Sequence, residues 1–159
     1  MTAPVHQTRS TPAGKLLKDG YQTLIGMSLD ADISFWEKTV QPPGMDGGDA
    51  IDITTMHNGV LRTMAPRSLV TMTEMSITAA YDPRLFAQIL AVLNKEQTIT
   101  VFFPNGDKVS FFGFLKNFEP QEVSEGEQPE ANLTIVPTNR DPSTGAEETY
   151  LYTELNVGT

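Results

Sequence analysis

The residues of this 159-residue chain that could hold a metal or move a proton are two histidines, His6 and His57, and a carboxylate pair, Asp49 and Asp52. Asp49, Asp52 and His57 fall close enough together to ligate a cation, and the two aspartates could share acid–base work in a hydrolysis. Their spacing matches no recurrent ligand pattern, and both histidines sit in segments that read as solvated loop. Carboxylate pairs also arise by chance in an acidic chain. No G-x-S-x-G, Walker A or glycine-rich dinucleotide segment occurs. The absence of cysteine removes disulfide and thiolate chemistry and suits a reducing cytoplasm. We therefore expect neither an enzyme nor a bound metal or cofactor, and look for function in shape and assembly.

Charge points the same way. The net charge is −9, and it is distributed unevenly. Residues 1–118 carry eleven acids and ten bases, whereas 119–159 carry nine acids against Arg140 alone. An acidic surface repels phosphate, which disfavours sequence-specific nucleic-acid binding, and no cluster of basic and aromatic residues offers a stacking platform. The same repulsion suits a protein past which DNA must slide; acids that only keep the chain soluble are the simpler reading of charge by itself. The length allows one domain with a core of its own. No run of 18 apolar residues is present, and the first twenty residues lack the apolar stretch of a secretory signal, so no membrane insertion is expected.

The elements that must position any site are mostly strands. Residues 1–20, with Pro4, Pro12, Gly14 and Gly20, read as an extended arm. Tyr21–Ser28 and Ile33–Val40 read as strands joined by a short turn, with Trp36 expected in the core. Gln41–Gly48 (QPPGMDGG) cannot hold a ladder, and Asp49–Met56 alternates again before His57-Asn58-Gly59 breaks the pattern. We take 41–58 as one long contact loop, since structureless connections beyond about 12–15 residues are usually functional or disordered. Leu69–Tyr81 alternates over some 43 Å of extended chain, with a change of parity near Glu74 that a bulge would reconcile.

Asp82-Pro83 opens the one expected helix, 83–94, with Asp as cap and Pro in the first turn. Leu85, Ile89 and Leu93, with Phe86 and Leu90, form its apolar stripe. A hairpin follows from Gln97 to Phe118. A two-residue Asn105-Gly106 turn would pair Phe103 with Lys108, Val101 with Ser110 and Ile99 with Phe112, leaving large apolar groups on both faces. Either that register is wrong or both faces are covered, one of them by another subunit. Glu119–Glu130 is an acidic loop, Ala131–Thr138 a last strand, and Asn139–Thr159 a second arm that orders on docking.

The succession of Gly47-Gly48-Asp49-Ala50-Ile51-Asp52-Ile53-Thr54-Thr55, a long strand, Tyr81-Asp82-Pro83 opening the only helix, Thr98–Pro104, Asn105-Gly106-Asp107 and Phe111-Phe112-Gly113-Phe114 resembles the major tail tube proteins of long-tailed, siphovirus-like bacteriophages. The likeness spans about 20–138; each motif is weak, and their order carries it. It implies a mainly β domain over 21–138, a β-sandwich or half-open barrel flanked by one α-helix. Its inner strands would join a ring-spanning barrel in a homohexamer, and rings would stack into a tube. It further implies a virion component assembled in the host cytoplasm, with DNA passing through the lumen without specific binding. Tape measure, tail terminator and tail-tip (distal tail) proteins are the implied partners. On this resemblance 41–58 is the inter-ring loop, with Pro42, Pro43, Met45, Asp49, Ile51, Asp52, Ile53 and His57 at the contact. Glu37, Asp52 and Glu74 are guesses for acids facing the lumen. Three other readings stand beside it: a free-standing β-sandwich binding module using Trp36 as a platform, the tube protein of a contractile secretion system, and a hydrolase built on Asp49 and Asp52.

Overall fold

Residues 23–30, 32–33, 35–104, 106–148 and the strand at 152–154 are described by the computed structural model. The expected arm at 1–20, and His6 within it, lie outside them. The described chain is mainly β. Its strands are β1 (Leu24–Met27), β2 (Trp36–Gln41), β3 (Met45–Asp46), β4 (Ile51–Asp52), β5 (Met64–Ala65), β6 (Thr71–Met72) and β7 (Met75–Ala80), then β8 (Gln97–Phe102), β9 (Lys108–Pro120), β10 (Glu130–Pro137) and β11 (Tyr152–Glu154). A single α-helix, α1 (Phe86–Val92), separates β7 from β8.

Period-two patterning sets the body. Met75, Ile77 and Ala79 of β7, Ile99 and Val101 of β8, and Ala131, Leu133 and Ile135 of β10 are buried, while the residues between them face outward. The antiparallel sheet runs β1-β8-β9-β10-β7-β2, and β11 adds to β9. β9 is its spine. Its first half pairs with β8 and its second with β10, and its apolar run Phe111–Leu115 sits where the two pairings meet. Gly113 stands at the crossover because a Cβ there would meet the Val136 carbonyl at 2.8 Å.

The two end strands come back together. The Ile25 amide in β1 donates to the Glu37 carboxylate in β2 at 3.1 Å, and side chains from both ends share one core with Ile89 and Val92 of α1. The sheet is thus curled into a half-open barrel with the helix against its interior.

Asp82 caps the helix start as expected, accepting from the Arg84 amide at 3.0 Å ahead of a 3-10 turn at Pro83–Leu85. The α-helix proper is shorter than the expected 83–94, because Leu93 turns extended and Asn94 takes a left-handed conformation (φ 59°). Its buried side is Ile89 and Val92, with Leu85 and Leu93 packed at the edge. Phe86 and Leu90, expected on the core stripe, are exposed, because the face of α1 turned to the sheet is the one that carries Ile89 and Val92.

The hairpin register differs from the expected one by one residue. Phe103 donates to the Asp107 carbonyl, Gly106 donates to that of Phe103, and Gly106 has φ 93°. The connection is therefore one residue longer than expected, a turn that Pro104 begins and a left-handed Gly106 closes. It pairs Val101 with Val109 and Ile99 with Phe111. Ile99, Val101 and Phe111 then share the dry face, and Thr98, Thr100 and Ser110 the other, where Phe112 opposite Thr98 is also buried, so the second face is mostly polar but keeps an apolar patch.

Trp36 is a further correction: it is 67% exposed. Phe35 takes the buried position, and a register shift between Glu37 and Thr39 resets the pattern. Within the described part of the expected arm at 139–159, an Arg140–Glu147 bridge turns the chain back, and β11 lies beside Lys108–Ser110, where β10 has ended and left the edge of β9 open.

Candidate assembly surface: the arm between β2 and β7

Each strand pair beyond the barrel continues the last. β2 pairs with β7, β3 with β6 and β4 with β5, all antiparallel and in register to within one residue. The expected loop at 41–58 is therefore the outgoing half of a two-stranded arm, and the start of the expected Leu69–Tyr81 strand is its return. The parity change near Glu74 marks the arm's root, where the extended run is interrupted between β6 and β7. There the Thr73 amide donates to the Gly44 carbonyl at 3.0 Å and the Gly44 amide to the Thr73 hydroxyl at 2.8 Å. Glu74 meets Lys116 of β9 at 3.0 Å.

Beyond that root the arm has no core. Pro43 is buried at its base, but from Gly44 to Glu74 every residue is exposed or at most partly covered. Met45, Ile51, Ile53, Met56, Val60, Leu61, Met64, Leu69 and Val70 are all exposed, Met56 and Val60 almost completely. A hairpin of two strands is marginally stable in water, and an apolar surface of this extent marks a contact.

Polar bonds nevertheless shape the tip. Asn58 accepts from the Thr55 amide and donates to the Leu61 carbonyl and the Thr63 hydroxyl. Ile53 donates to the Thr63 carbonyl at 2.9 Å, and Arg67 to that of Asp49 at 2.8 Å. The Asp52 carboxylate accepts from the Thr54 amide and pairs with Arg62 at 3.1 Å. Its hydrogen bonds with Thr54 and then Arg62 hold its pKa below the usual carboxylate value.

All eight residues singled out for the inter-ring contact lie on the outgoing half, from Pro42 and Pro43 at the root, through Met45, Asp49, Ile51, Asp52 and Ile53, to His57 at the tip. The apolar residues of the return half were missed. Their signal was Val60 to Val70 with Leu61, Met64 and Leu69 between, a stretch rich in apolar side chains that lacks the alternation of a buried strand. The acids guessed for a lumen are not brought together. Glu37 lies at the β1–β2 seam, Asp52 at the tip against Arg62, and Glu74 at the root against Lys116. Burial pushes the Glu37 carboxyl up, partly offset by the backbone hydrogen bonds it accepts.

Asp49, Asp52 and His57 form no metal cluster; among the described residues no three histidine or carboxylate groups gather. Asp52 is paired with Arg62, and the His57 backbone amide donates to the Thr55 hydroxyl. Among the described residues, no helix is long and apolar enough to cross a membrane.

No protein-family profile and no curated protein matches the sequence. Solved structures do. A chain from the tail of an empty gene transfer agent particle, refined helically with C6 symmetry, aligns with TM-score 0.55 and 13% identity over 77% of this chain and 95% of its own. A chain from the virion of a native gene transfer agent particle gives 0.56 at 12% identity over 86% and 100%. One from the six-fold symmetrised baseplate of the anti-feeding prophage gives 0.51 at 8% identity, over 83% and 89%. The fold is shared with phage-like tail particles. At these identities the likeness is one of fold, and it covers nearly the whole of each matched chain.

Proposed function

We propose that this chain is the structural subunit of a phage-like tail tube. Six copies close into a ring, rings stack head to tail, and the tube conducts DNA without binding it specifically. The observation that carries this reading is the arm: a hairpin over 44–74 with no fully buried residue, projecting from a barrel whose fold matches a chain of a C6-symmetric tail. In a stack it would reach the next ring, a heterologous contact that propagates until capped. Length would then be set by partners: a tape measure protein inside the tube, a terminator at one end and a tail-tip complex at the other. A non-enzymatic role accords with the arm's polar groups being spent on its own turns.

Electron microscopy of the purified protein over a concentration series tests the proposal. Six-fold rings or hollow tubes are expected; a monomer at every concentration, even when seeded with tail-tip complex, would overturn it. The exposure of Trp36 on an end strand favours one second reading, a free-standing binding module with an aromatic platform. That reading expects a persistent monomer.

A further inference from the structure

The line along which the barrel closes is held in an unusual way. β1 and β2 are the two ends of the sheet, and no backbone ladder joins them. β1 is only four residues long, pairs with β8 on one side, and turns the Ile25 amide toward the other. That outward amide is taken by the Glu37 side chain at 3.1 Å. Ile25 itself is buried, so its amide is poorly served by water, while Leu24 beside it is exposed. Short as it is, an apolar edge that carries an outward donor is still a template on which a strand of another chain can add.

We infer that Glu37 is an edge guard: its carboxylate occupies the Ile25 amide, closes the β1–β2 seam in the isolated subunit, and keeps that edge from recruiting a strand of a second copy out of order. The geometry favours a glutamate for this. Its length spans the seam, it accepts without donating, and as a charge drawn into a half-buried edge it makes strand addition costly. Lys38, the next residue, does not neutralise it, being engaged with Glu130 of β10 at 2.5 Å. The inference does not depend on the tube reading, because it concerns the subunit before any assembly.

The experiment is amide hydrogen exchange on the full chain, dilute enough to be monomeric, for wild type, Glu37→Gln, Glu37→Asp and Glu37→Ala. Glutamine keeps the acceptor and should leave Ile25 exchange within about twofold of wild type. Aspartate keeps the charge but falls short of the amide, so Asp and Ala should both speed exchange at Ile25 roughly tenfold, the factor expected for one hydrogen bond. Protection at Leu133 and Ile135 in the core strand should hold throughout, which separates a seam effect from unfolding. On concentration, the Asp and Ala variants should form irregular aggregates by light scattering and microscopy where wild type does not. Unchanged Ile25 exchange in both variants would overturn the proposal. So would fast exchange with no added association, which would leave Glu37 as a structural bond and nothing more.

Discussion

The sharpest test of the arm is a pair of substitutions at its tip, Met56→Ser with Val60→Ser. Both side chains are almost fully exposed in the subunit, at 102% and 96%. Removing them should therefore leave the isolated fold alone: surface changes of this kind stay within about 0.5 kcal/mol, a thermal shift of a few degrees at most. If the tip is buried against the next ring, each side chain contributes roughly 2 kcal/mol of burial there, so the pair should weaken stacking by about 4 kcal/mol. At about 1.4 kcal/mol per decade this raises the critical concentration for tube growth by two to three orders of magnitude. Turbidity and pelleting across a dilution series read that concentration, and a melting curve reads the subunit. Met75→Ala is the contrast: Met75 is wholly buried in β7, and its truncation should cost about 2–5 kcal/mol of fold stability. The reasoning fails if the tip pair assembles at the wild-type concentration. It also fails if the tip pair melts as early as Met75→Ala, since the tip would then be part of the core.

Three other outcomes follow from single sites. Gly113→Ala forces a Cβ to 2.8 Å from the Val136 carbonyl, a backbone atom that cannot swing aside, and should cost about 1–3 kcal/mol in chemical denaturation. Gln97, 2% exposed, accepts from the Leu29 amide at 3.1 Å; Gln97→Leu strands that amide and should cost about 1–3 kcal/mol, with faster exchange at Leu29. Glu37 has a carboxyl pKa raised by burial from its ordinary 4.5, so its protonated form is favoured by folding. Its contribution is fully present below 4.5 and is lost as pH rises through the elevated folded value. Glu37→Gln keeps the acceptor without the charge, so its melting temperature relative to wild type should climb as pH rises through that window. A difference that is flat with pH, or falls, refutes the burial argument.

Much of the body was legible because period-two alternation and turn chemistry are local. Met75 to Ala79, Ala131 to Ile135 and the Asp82-Pro83 start each carry their signal within a few residues. The errors arose where one residue's offset mattered. Reading Asn105-Gly106 as the whole turn ignored Pro104, whose fixed φ makes it the first turn residue, and this reversed the faces of the hairpin partner strand. Trp36 was misplaced for the same reason, since Phe35 and Trp36 compete for one inward position and only the register shift against β7 decides between them.

The candidate site divides along the same line. The expectation that 41–58 is a contact segment rested on its prolines, its glycines and its length, because those limit what the backbone can do by itself. That it is half of an arm, with Val60, Leu61, Met64, Leu69 and Val70 as the other half, depends on pairings such as Met45 with Met72 and Ile51 with Ala65, far apart along the chain. No local pattern records such a pairing, because the partner supplies the hydrogen bonds. The seam at Glu37 is unmarked for another reason: Ile25 and Glu37 are twelve residues apart, but β1 and β2 are opposite ends of the sheet, and the side chain that bridges them follows no strand pairing. Sequence alone determined which stretches alternate and where the helix starts, since those follow from side chains and backbone within a turn or two. Tertiary structure alone decided which faces are dry, which apolar residues lack a partner and which edge needs guarding, because each is a property of what lies across the sheet.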